Sequence, residues 1–170
     1  MPATPAADPS PGPAFSVLMV CTGNICRSPT ADGLLRHRLR EAGLHERVLV
    51  DSAGTHGYHV GEPPDRRSAA KARSYGVEIG MLRARQVEAT DFRRFDLILA
   101  MDQGHHDILL QRCPPPHRGK VKLYLDYAPQ FGREVPDPYY GNEDGFETVW
   151  RMCDAVSAAL VDEIRRRIAS

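Results

Sequence analysis

Apolar residues along this chain gather in short continuous runs, which alternate with segments whose apolar positions recur at helical spacing. The short runs, rich in branched residues, predict four buried strands: Phe15–Val20, Arg47–Ser52, Phe95–Met101 and Lys120–Leu125. The other segments predict helices over Pro29–Ala42, Asp65–Tyr75 and Asp102–Arg112, and from about Asn142 onwards. This alternation predicts an α/β fold: a single three-layer domain with a small four-stranded parallel sheet and helices on both faces.

Length and charge narrow the range of functions. The 170 residues suit one domain with a sizeable core. Lys plus Arg and Asp plus Glu number 22 each, so no overall field favours nucleic acid or a membrane, and we expect neither as a partner. Residues 1–14 are rich in Pro and Ala and lack the pattern of a secretory signal. They are predicted to be a disordered tail, with the domain spanning residues 15–170.

The candidate chemistry lies directly after the first strand, in the octet Cys21–Ser28, which reads Cys-Thr-Gly-Asn-Ile-Cys-Arg-Ser. A loop between a strand and a helix turns backbone N–H groups inward, and the helix dipole adds positive potential, which suits phosphate or another oxyanion. Arg27 can bind two phosphate oxygens with its planar fork. The same positive surroundings favour the thiolate of Cys21. The octet therefore predicts a thiolate nucleophile beneath a bound phosphate.

The four cysteines, Cys21, Cys26, Cys113 and Cys153, lack the spacing of a disulfide scaffold. A reactive Cys21 requires a reducing compartment, which favours the cytoplasm. A zinc site would need a second close pair of ligands beside Cys21 and Cys26, so we expect no metal and no cofactor. Cys113, before three prolines, and Cys153, on the apolar stripe of the last helix, are interpreted as structural.

Several polar residues near the octet permit two interpretations. Ser28 is a candidate donor to the Cys21 thiolate and equally a candidate N-cap of the following helix. Asn24 suits a left-handed backbone position and would fix the shape of the loop. Asp102 is a candidate support for the loop or simply a helix cap, and His59, in a turn, is interpreted as solvated.

The octet resembles the phosphate-binding loop of the protein tyrosine phosphatases, and its full sequence is similar to the low-molecular-weight branch of that family. Cys21 and Arg27 have the Cys-x5-Arg spacing of these enzymes. A second match, Asp137-Pro138-Tyr139-Tyr140, lies where that family carries its general acid. The resemblance covers roughly residues 15 to 168 and implies a flavodoxin-like, phosphotyrosine phosphatase I-like fold.

The resemblance implies metal-independent hydrolysis of phosphotyrosine in protein substrates through a phosphocysteine. In this scheme Cys21 attacks phosphorus, Arg27 stabilises the equatorial oxygens, and Asp137 protonates the leaving phenolate before it activates water. The implied phosphate-binding residues are Thr22, Gly23, Asn24, Ile25, Cys26, Arg27 and Ser28.

The resemblance also implies supporting roles around this centre. In the family, the residue matching Asn24 bonds to a serine that corresponds to Ser52. The second cysteine of the octet, Cys26, is implied to form a reversible disulfide with Cys21 that protects the nucleophile. The implied aromatic walls of the substrate cleft are Tyr58, Tyr139 and Tyr140.

Three alternative functions remain open at this point. Protein arginine phosphatases resemble the chain closely, but they tend to carry Thr where this chain has Ile25. Thioredoxin-coupled arsenate reductases need a close pair of relay cysteines, which Cys113 and Cys153 do not form in the sequence, and lack the Asp-Pro-Tyr-Tyr motif. A noncatalytic phosphoprotein-binding module would need neither the nucleophile Cys21 nor the acid Asp137.

Overall fold

The computed structural model describes residues 12–169, so most of the predicted tail at residues 1–14 lies outside the described residues. Four strands form one parallel sheet: β1 Phe15–Cys21, β2 Val48–Gly54, β3 Leu97–Ala100 and β4 Val121–Leu123. Their order across the sheet is β2-β1-β3-β4. The chain therefore moves outward from β1 to β2 and then returns to the other side of β1. The crevice beside the carboxyl end of β1 is where such a topology binds its ligand.

Within residues 12–169, five helices surround the sheet: α1 Arg27–Glu41, α2 Arg66–Ser74, α3 Asp91–Arg94, α4 Gln103–Arg112 and α5 Glu143–Ala169. Short 3-10 turns follow α4 and β4, at Pro115–Lys120, Tyr124–Tyr127 and Pro129–Phe131. Both α1 and α2 stop before a glycine in the left-handed region, Gly43 at φ 74° and Gly76 at φ 81°. Glycine takes this conformation without the clash of a side-chain carbon, which explains both ends.

Alternate residues of β1 enter two separate apolar clusters, because successive side chains of a strand point to opposite faces. Val17 and Met19 join the cluster built with α1 and α5, whereas Leu18 and Val20 join the one that includes residues of α3 and α4. Helices thus cover both faces of the sheet. The predicted three-layer α/β fold with a four-stranded parallel sheet is confirmed.

The boundaries differ from the sequence-based prediction in ways that affect the candidate site. Helix α1 begins at Arg27, two residues before the predicted start at Pro29, so the arginine belongs to the first helical turn. Strand β4 ends at Leu123, because the chain turns into a 3-10 helix at Tyr124. The short helix α3 was not predicted, since its four residues carry too little periodicity to distinguish it from a loop. Among the described residues, no helix combines the length and apolar character needed to cross a membrane.

Gly54, the last residue of β2, allows the loop after β1 to approach the sheet closely. A Cβ atom at this position would lie 2.6 Å from the carbonyl oxygen of Thr22 and 2.9 Å from that of His56. Both obstacles are backbone atoms, which cannot move aside like the tip of a side chain. The absence of a side chain at Gly54 is therefore a condition for the position of the loop.

We expect Gly54→Ala to lower the free energy of unfolding by about 1–3 kcal/mol, since the added carbon forces backbone atoms apart. Gly119→Ala is the matched control, because a Cβ there meets no heavy atom within 4 Å. The control should change stability by less than about 0.5 kcal/mol. Urea unfolding of the two variants measures the difference, and equal midpoints would contradict the proposed constraint.

Candidate active site

The loop between β1 and α1 places a thiol at the carboxyl end of the central strand. Cys21, the last residue of β1, is only 3 % exposed, and its Sγ lies 3.0 Å from Ser28 Oγ. The N-cap position of α1 is held by Cys26, and Ser28 lies inside the first turn. Of the two interpretations of Ser28, the structure therefore supports the contact with the thiol and not the N-cap.

Asn24 stabilises the loop through hydrogen bonds from both polar atoms of its side-chain amide. Its backbone is left-handed, with φ 59°. Its Nδ2 donates to Ser28 Oγ at 2.7 Å, and its Oδ1 accepts from the backbone N–H of Arg85 at 3.0 Å. The expected bond to Ser52 is wrong, because Ser52 Oγ instead donates at 2.8 Å to Asp32, a buried carboxylate on α1. Ser52 therefore supports the loop only indirectly, through the helix that follows it.

Arg27 places a buried positive charge at the base of the loop. The residue is 3 % exposed, and its Nη1 donates to Asp102 Oδ2 at 3.0 Å and to the carbonyl oxygen of Val135 at 3.1 Å. Its Nη2 lies 3.4 Å from Thr22 Oγ1 and 3.6 Å from Asp137 Oδ2. A buried guanidinium is stable only when its donors are satisfied, and here four separate groups face it.

Asp102 serves both as support for Arg27 and as a helix cap, since its Oδ1 accepts from the backbone N–H of His105.

The segment that carries Asp137 is held against the carboxyl end of β3. The backbone N–H of Val135 donates to the carbonyl of Met101 at 2.8 Å, which fixes the chain two residues before the aspartate. Asp137 Oδ1 accepts from the N–H of Tyr139 at 3.0 Å, and the side chain is 39 % exposed. The carboxyl group therefore reaches both the buried arginine and the solvent-facing mouth of the site.

These groups line one pocket of about 110 Å³ at the carboxyl end of the sheet. Its lining residues are Cys21, Thr22, Gly23, Ile25, Cys26, Arg27, Tyr58, His59, Asp137, Tyr139 and Tyr140. The structure thus brings together the predicted nucleophile, arginine, acid and aromatic residues. The predicted loop-support residues Asn24, Ser28 and Ser52 are buried outside this lining.

The aromatic side chains form the outer part of the pocket. The ring of Tyr58 stacks on His56, with centroids 5.1 Å apart, and the rings of Tyr139 and Tyr140 meet edge to face at 5.0 Å. Arg67 of α2 secures this wall, because its Nη2 donates to the carbonyl of Tyr139 at 3.0 Å and its guanidinium lies 5.6 Å from the ring centre. No sequence motif indicates Arg67 as part of this wall.

His59 is a second residue that the sequence analysis missed. Its place in a turn predicts a solvated side chain, but His59 lines the pocket and lies so close to Gly23 that a Cβ there would come within 2.8 Å of its ring. Its Nδ1 is 2.5 Å from Glu62 Oε2, which fixes the ring over the loop. Its position directly after Tyr58 was the available signal, but sequence alone does not show that this turn folds back over the octet.

His105 is the third missed residue, and it lies behind the loop rather than in the pocket. It is 4 % exposed, with Nε2 2.7 Å from Thr22 Oγ1 and Nδ1 3.0 Å from Asp102 Oδ1. Burial and the positive charge of Arg27 lower the pKa of His105 to about 4, against the opposing influence of Asp102 and Asp137. The imidazole is therefore neutral at pH 7.

Cys26 differs chemically from a reactive thiolate. Burial, together with the nearby carboxylate of Asp65, raises the pKa of Cys26 to about 12, so the group is a thiol at neutral pH. Both Cys21 and Cys26 are free cysteines in the structure. The reversible disulfide between them therefore stays a prediction.

The buried neutral state of His105 predicts an acid-sensitive fold. Below pH 6.5 the unfolded chain binds a proton at His105 while the folded chain does not, so stability is complete above pH 6.5 and is lost toward pH 4. The loss from this group should reach about 3 kcal/mol. Urea unfolding at pH 7 and pH 4.5 should show a smaller loss in His105→Gln than in the wild type. The exposed His45 provides the control: His45→Gln should keep the wild-type dependence, and a His105→Gln variant with that same dependence would contradict the assignment.

The fold and the pocket together define an α/β protein whose loop at the carboxyl end of a central strand brings a cysteine and a buried arginine into one pocket. A family model described as low molecular weight phosphotyrosine protein phosphatase matches residues 16–170. The low molecular weight protein-tyrosine-phosphatase of Streptomyces coelicolor is 42% identical over 159 residues, which cover 91% of this chain and 96% of the relative. The human low molecular weight phosphotyrosine protein phosphatase is 39% identical, covering 87% of this chain and 94% of its own.

A solved structure supports the same assignment. The protein tyrosine phosphatase of Entamoeba histolytica, crystallised with Hepes in its active site, matches with a TM-score of 0.86 and 36% identity. The match covers 89% of this chain and 97% of that one. The chain therefore belongs to the low molecular weight phosphotyrosine protein phosphatase family, as the octet indicated.

Proposed function

We propose that this protein hydrolyses phosphotyrosine in protein substrates through a covalent phosphocysteine at Cys21. The observation that carries the proposal is the convergence of Cys21 and Arg27, from the two ends of one loop, and Asp137, from a segment more than a hundred residues later, on one small pocket. A nucleophile, a fixed cation and a carboxyl group are the three components that a two-step phosphoryl transfer needs. The family relationship supports the same reaction.

In the first step, the Cys21 thiolate forms a bond to phosphorus while the bond from phosphorus to the phenolic oxygen breaks. Arg27 and the backbone N–H groups of the loop stabilise the charge on the three equatorial oxygens. Asp137, in its acid form, gives its proton to the departing phenolate. The hydroxyl of Ser28, 3.0 Å from Sγ, is placed to donate to the thiolate form of Cys21.

In the second step, Asp137 accepts a proton from a water molecule whose oxygen bonds to phosphorus. The bond between phosphorus and Cys21 Sγ breaks, which releases inorganic phosphate and regenerates the thiolate. One carboxyl group can perform both tasks because it leaves the first step ionised. Its partial exposure at the mouth of the pocket gives water access to it.

The lining of the pocket favours an aromatic leaving group over a guanidinium. Ile25 presents an apolar side chain, and Tyr58 and Tyr139 present ring surfaces, to the space above the loop. A further relative, the Wzb protein of Vibrio vulnificus, was solved in complex with benzylphosphonate, which joins a tetrahedral anion to an aromatic ring. Its coordinates match this chain with a TM-score of 0.78 and 29% identity, covering 88% of this chain and 99% of that one.

The positions of the remaining cysteines argue against a disulfide relay of the arsenate reductase kind. Cys113 belongs to the apolar cluster on one face of the sheet, and Cys153 belongs to the cluster on the other. Both are buried, so neither is placed to attack a disulfide at Cys21. A free Cys21 thiol requires reducing conditions, and we therefore propose the cytoplasm as the location of the protein.

Substrate choice is tested by measuring phosphate release from matched phosphotyrosine and phosphoarginine peptides, with chelator and reductant present. We expect the phosphotyrosine peptide to react faster and Cys21→Ser to lose turnover, because a hydroxyl is a far weaker nucleophile than a thiolate. Cys113→Ser, which alters a buried thiol away from the pocket, should keep the wild-type rate. Preference for the phosphoarginine peptide would overturn the substrate assignment, and an active Cys21→Ser would overturn the nucleophile.

The role of Asp137 as general acid predicts a dependence on the leaving group. Asp137→Ala should lower kcat by about 10²–10⁴-fold for phosphotyrosine, because an unprotonated phenolate leaves poorly. The loss should be smaller for p-nitrophenyl phosphate, whose leaving group needs less protonation. Asp126→Ala changes an exposed aspartate outside the pocket and should have no effect. Equal losses for the two substrates would show that Asp137 is not the proton donor.

A further inference from the structure

A closed ring of polar contacts joins the phosphate-binding loop to the first turn of α4. Arg27 Nη1 donates to Asp102 Oδ2 at 3.0 Å, and Arg27 Nη2 donates to Thr22 Oγ1 at 3.4 Å. His105 completes the ring, with Nε2 2.7 Å from Thr22 Oγ1 and Nδ1 3.0 Å from Asp102 Oδ1. Arg27 takes part in the proposed phosphoryl transfer, whereas His105 takes part in neither of its steps.

The chemistry of the four groups fixes the direction of the contact between His105 and Thr22. Nδ1 faces the negative oxygen of Asp102, so it carries the proton, although the contact is not aligned as a ring N–H hydrogen bond. In the neutral ring, Nε2 then offers a lone pair. The hydroxyl of Thr22 must donate to that lone pair, which leaves its oxygen free to accept from Arg27.

His105 stays neutral because of its burial and of the groups around it. Burial is the main cause of its lowered pKa, and Arg27 from α1 and, to a lesser extent, His56 from the loop after β2 also disfavour a second positive charge. The carboxylates of Asp102 and Asp137 favour the charge but do not outweigh them. A neutral acceptor behind Thr22 is therefore the state present near pH 7.

The orientation of Thr22 matters because two acceptors compete for the same nitrogen. Arg27 Nη2 lies 3.4 Å from Thr22 Oγ1 and 3.6 Å from Asp137 Oδ2. If the Thr22 hydroxyl turned its proton toward Arg27, the nitrogen would lose this acceptor and would be drawn to Asp137. The arginine fork would then pair with the general acid instead of facing the phosphate.

We propose that His105 is a positioning residue that fixes the Thr22 hydroxyl and thereby holds the Arg27 fork in its phosphate-binding orientation. The turnover part of this inference rests on the proposed phosphatase function. The binding part does not, because it concerns only the affinity of the loop for an oxyanion. The residue acts through Thr22 and Arg27, and it touches neither substrate nor phosphate.

The test compares His105→Leu, which fills the buried space without an acceptor, with His105→Gln, whose amide oxygen can still accept from Thr22. We expect His105→Leu to lower kcat/KM for p-nitrophenyl phosphate by about tenfold and to raise the inhibition constant of inorganic phosphate by a similar factor. His105→Gln should recover most of both losses. His106→Gln, on the same helix and outside the ring, is the matched control and should behave as the wild type.

If His105 had a purely structural role, His105→Leu would lower the thermal midpoint but leave kcat/KM and phosphate inhibition of the folded enzyme within about twofold of the wild-type values. That outcome would overturn the proposal.

A double-mutant cycle tests whether His105 acts through Thr22. Thr22→Val removes the hydroxyl, so adding His105→Leu should cause no further loss of kcat/KM. Independent, multiplying losses would overturn the proposed route.

Titration calorimetry of inorganic phosphate into Cys21→Ser, with and without His105→Leu, separates the positioning role of His105 from the proposed phosphatase function. An about tenfold weaker affinity would support the ring even if the wild type proved inactive on phosphotyrosine, and an unchanged affinity would refute it even in an active enzyme.

Discussion

The buried charge of Arg27 is the constraint on which the rest of the site depends. A guanidinium that leaves water loses several kcal/mol of hydration unless fixed acceptors replace it. This structure supplies acceptors from three separate segments: the cap of α4, the carbonyl of Val135 and the hydroxyl of Thr22. Each acceptor is also tied to another part of the fold, so the arginine links the loop after β1, the start of α4 and the segment before Asp137 into one unit.

These contacts explain how the candidate catalytic residues come together at the carboxyl end of a parallel sheet. Cys21 ends β1, and Val135 is hydrogen-bonded to the residue directly after β3. Because β1 and β3 are adjacent and parallel, both ends reach the same edge. The proposed nucleophile, Cys21, therefore comes from a central strand, whereas the proposed acid, Asp137, comes from a loop held by contacts to Met101, directly after β3, and to Arg27. A rigidly held cysteine suits the proposed attack on phosphorus. A more exposed aspartic acid suits proton transfer, since it must meet both the leaving group and water.

Sequence patterns predicted the structure correctly where one short segment determines it. The strand predicted at Phe15–Val20, and found at Phe15–Cys21, is buried on both faces as its continuous apolar run indicates. The cap at Asp102 could be predicted because its carboxylate needs only the N–H three residues later. Errors arose where distant segments compete for one group. Asn24 was assigned to Ser52, but the left-handed turn directs its amide to Ser28 and to the backbone of Arg85.

The sequence by itself determined the α/β alternation, the octet on a strand–loop–helix and the presence of a candidate acid far along the chain. The alternation follows from periodicity and the octet contains its reactive residue types within one short segment, whereas Asp137 was identified only through the resemblance of its motif to that of the family. Only the tertiary structure decided that His105, His59 and Arg67 surround the loop and its aromatic wall. Their contacts join residues 36 to 83 positions apart, and such pairs are set by sheet order and loop packing, which no local pattern encodes.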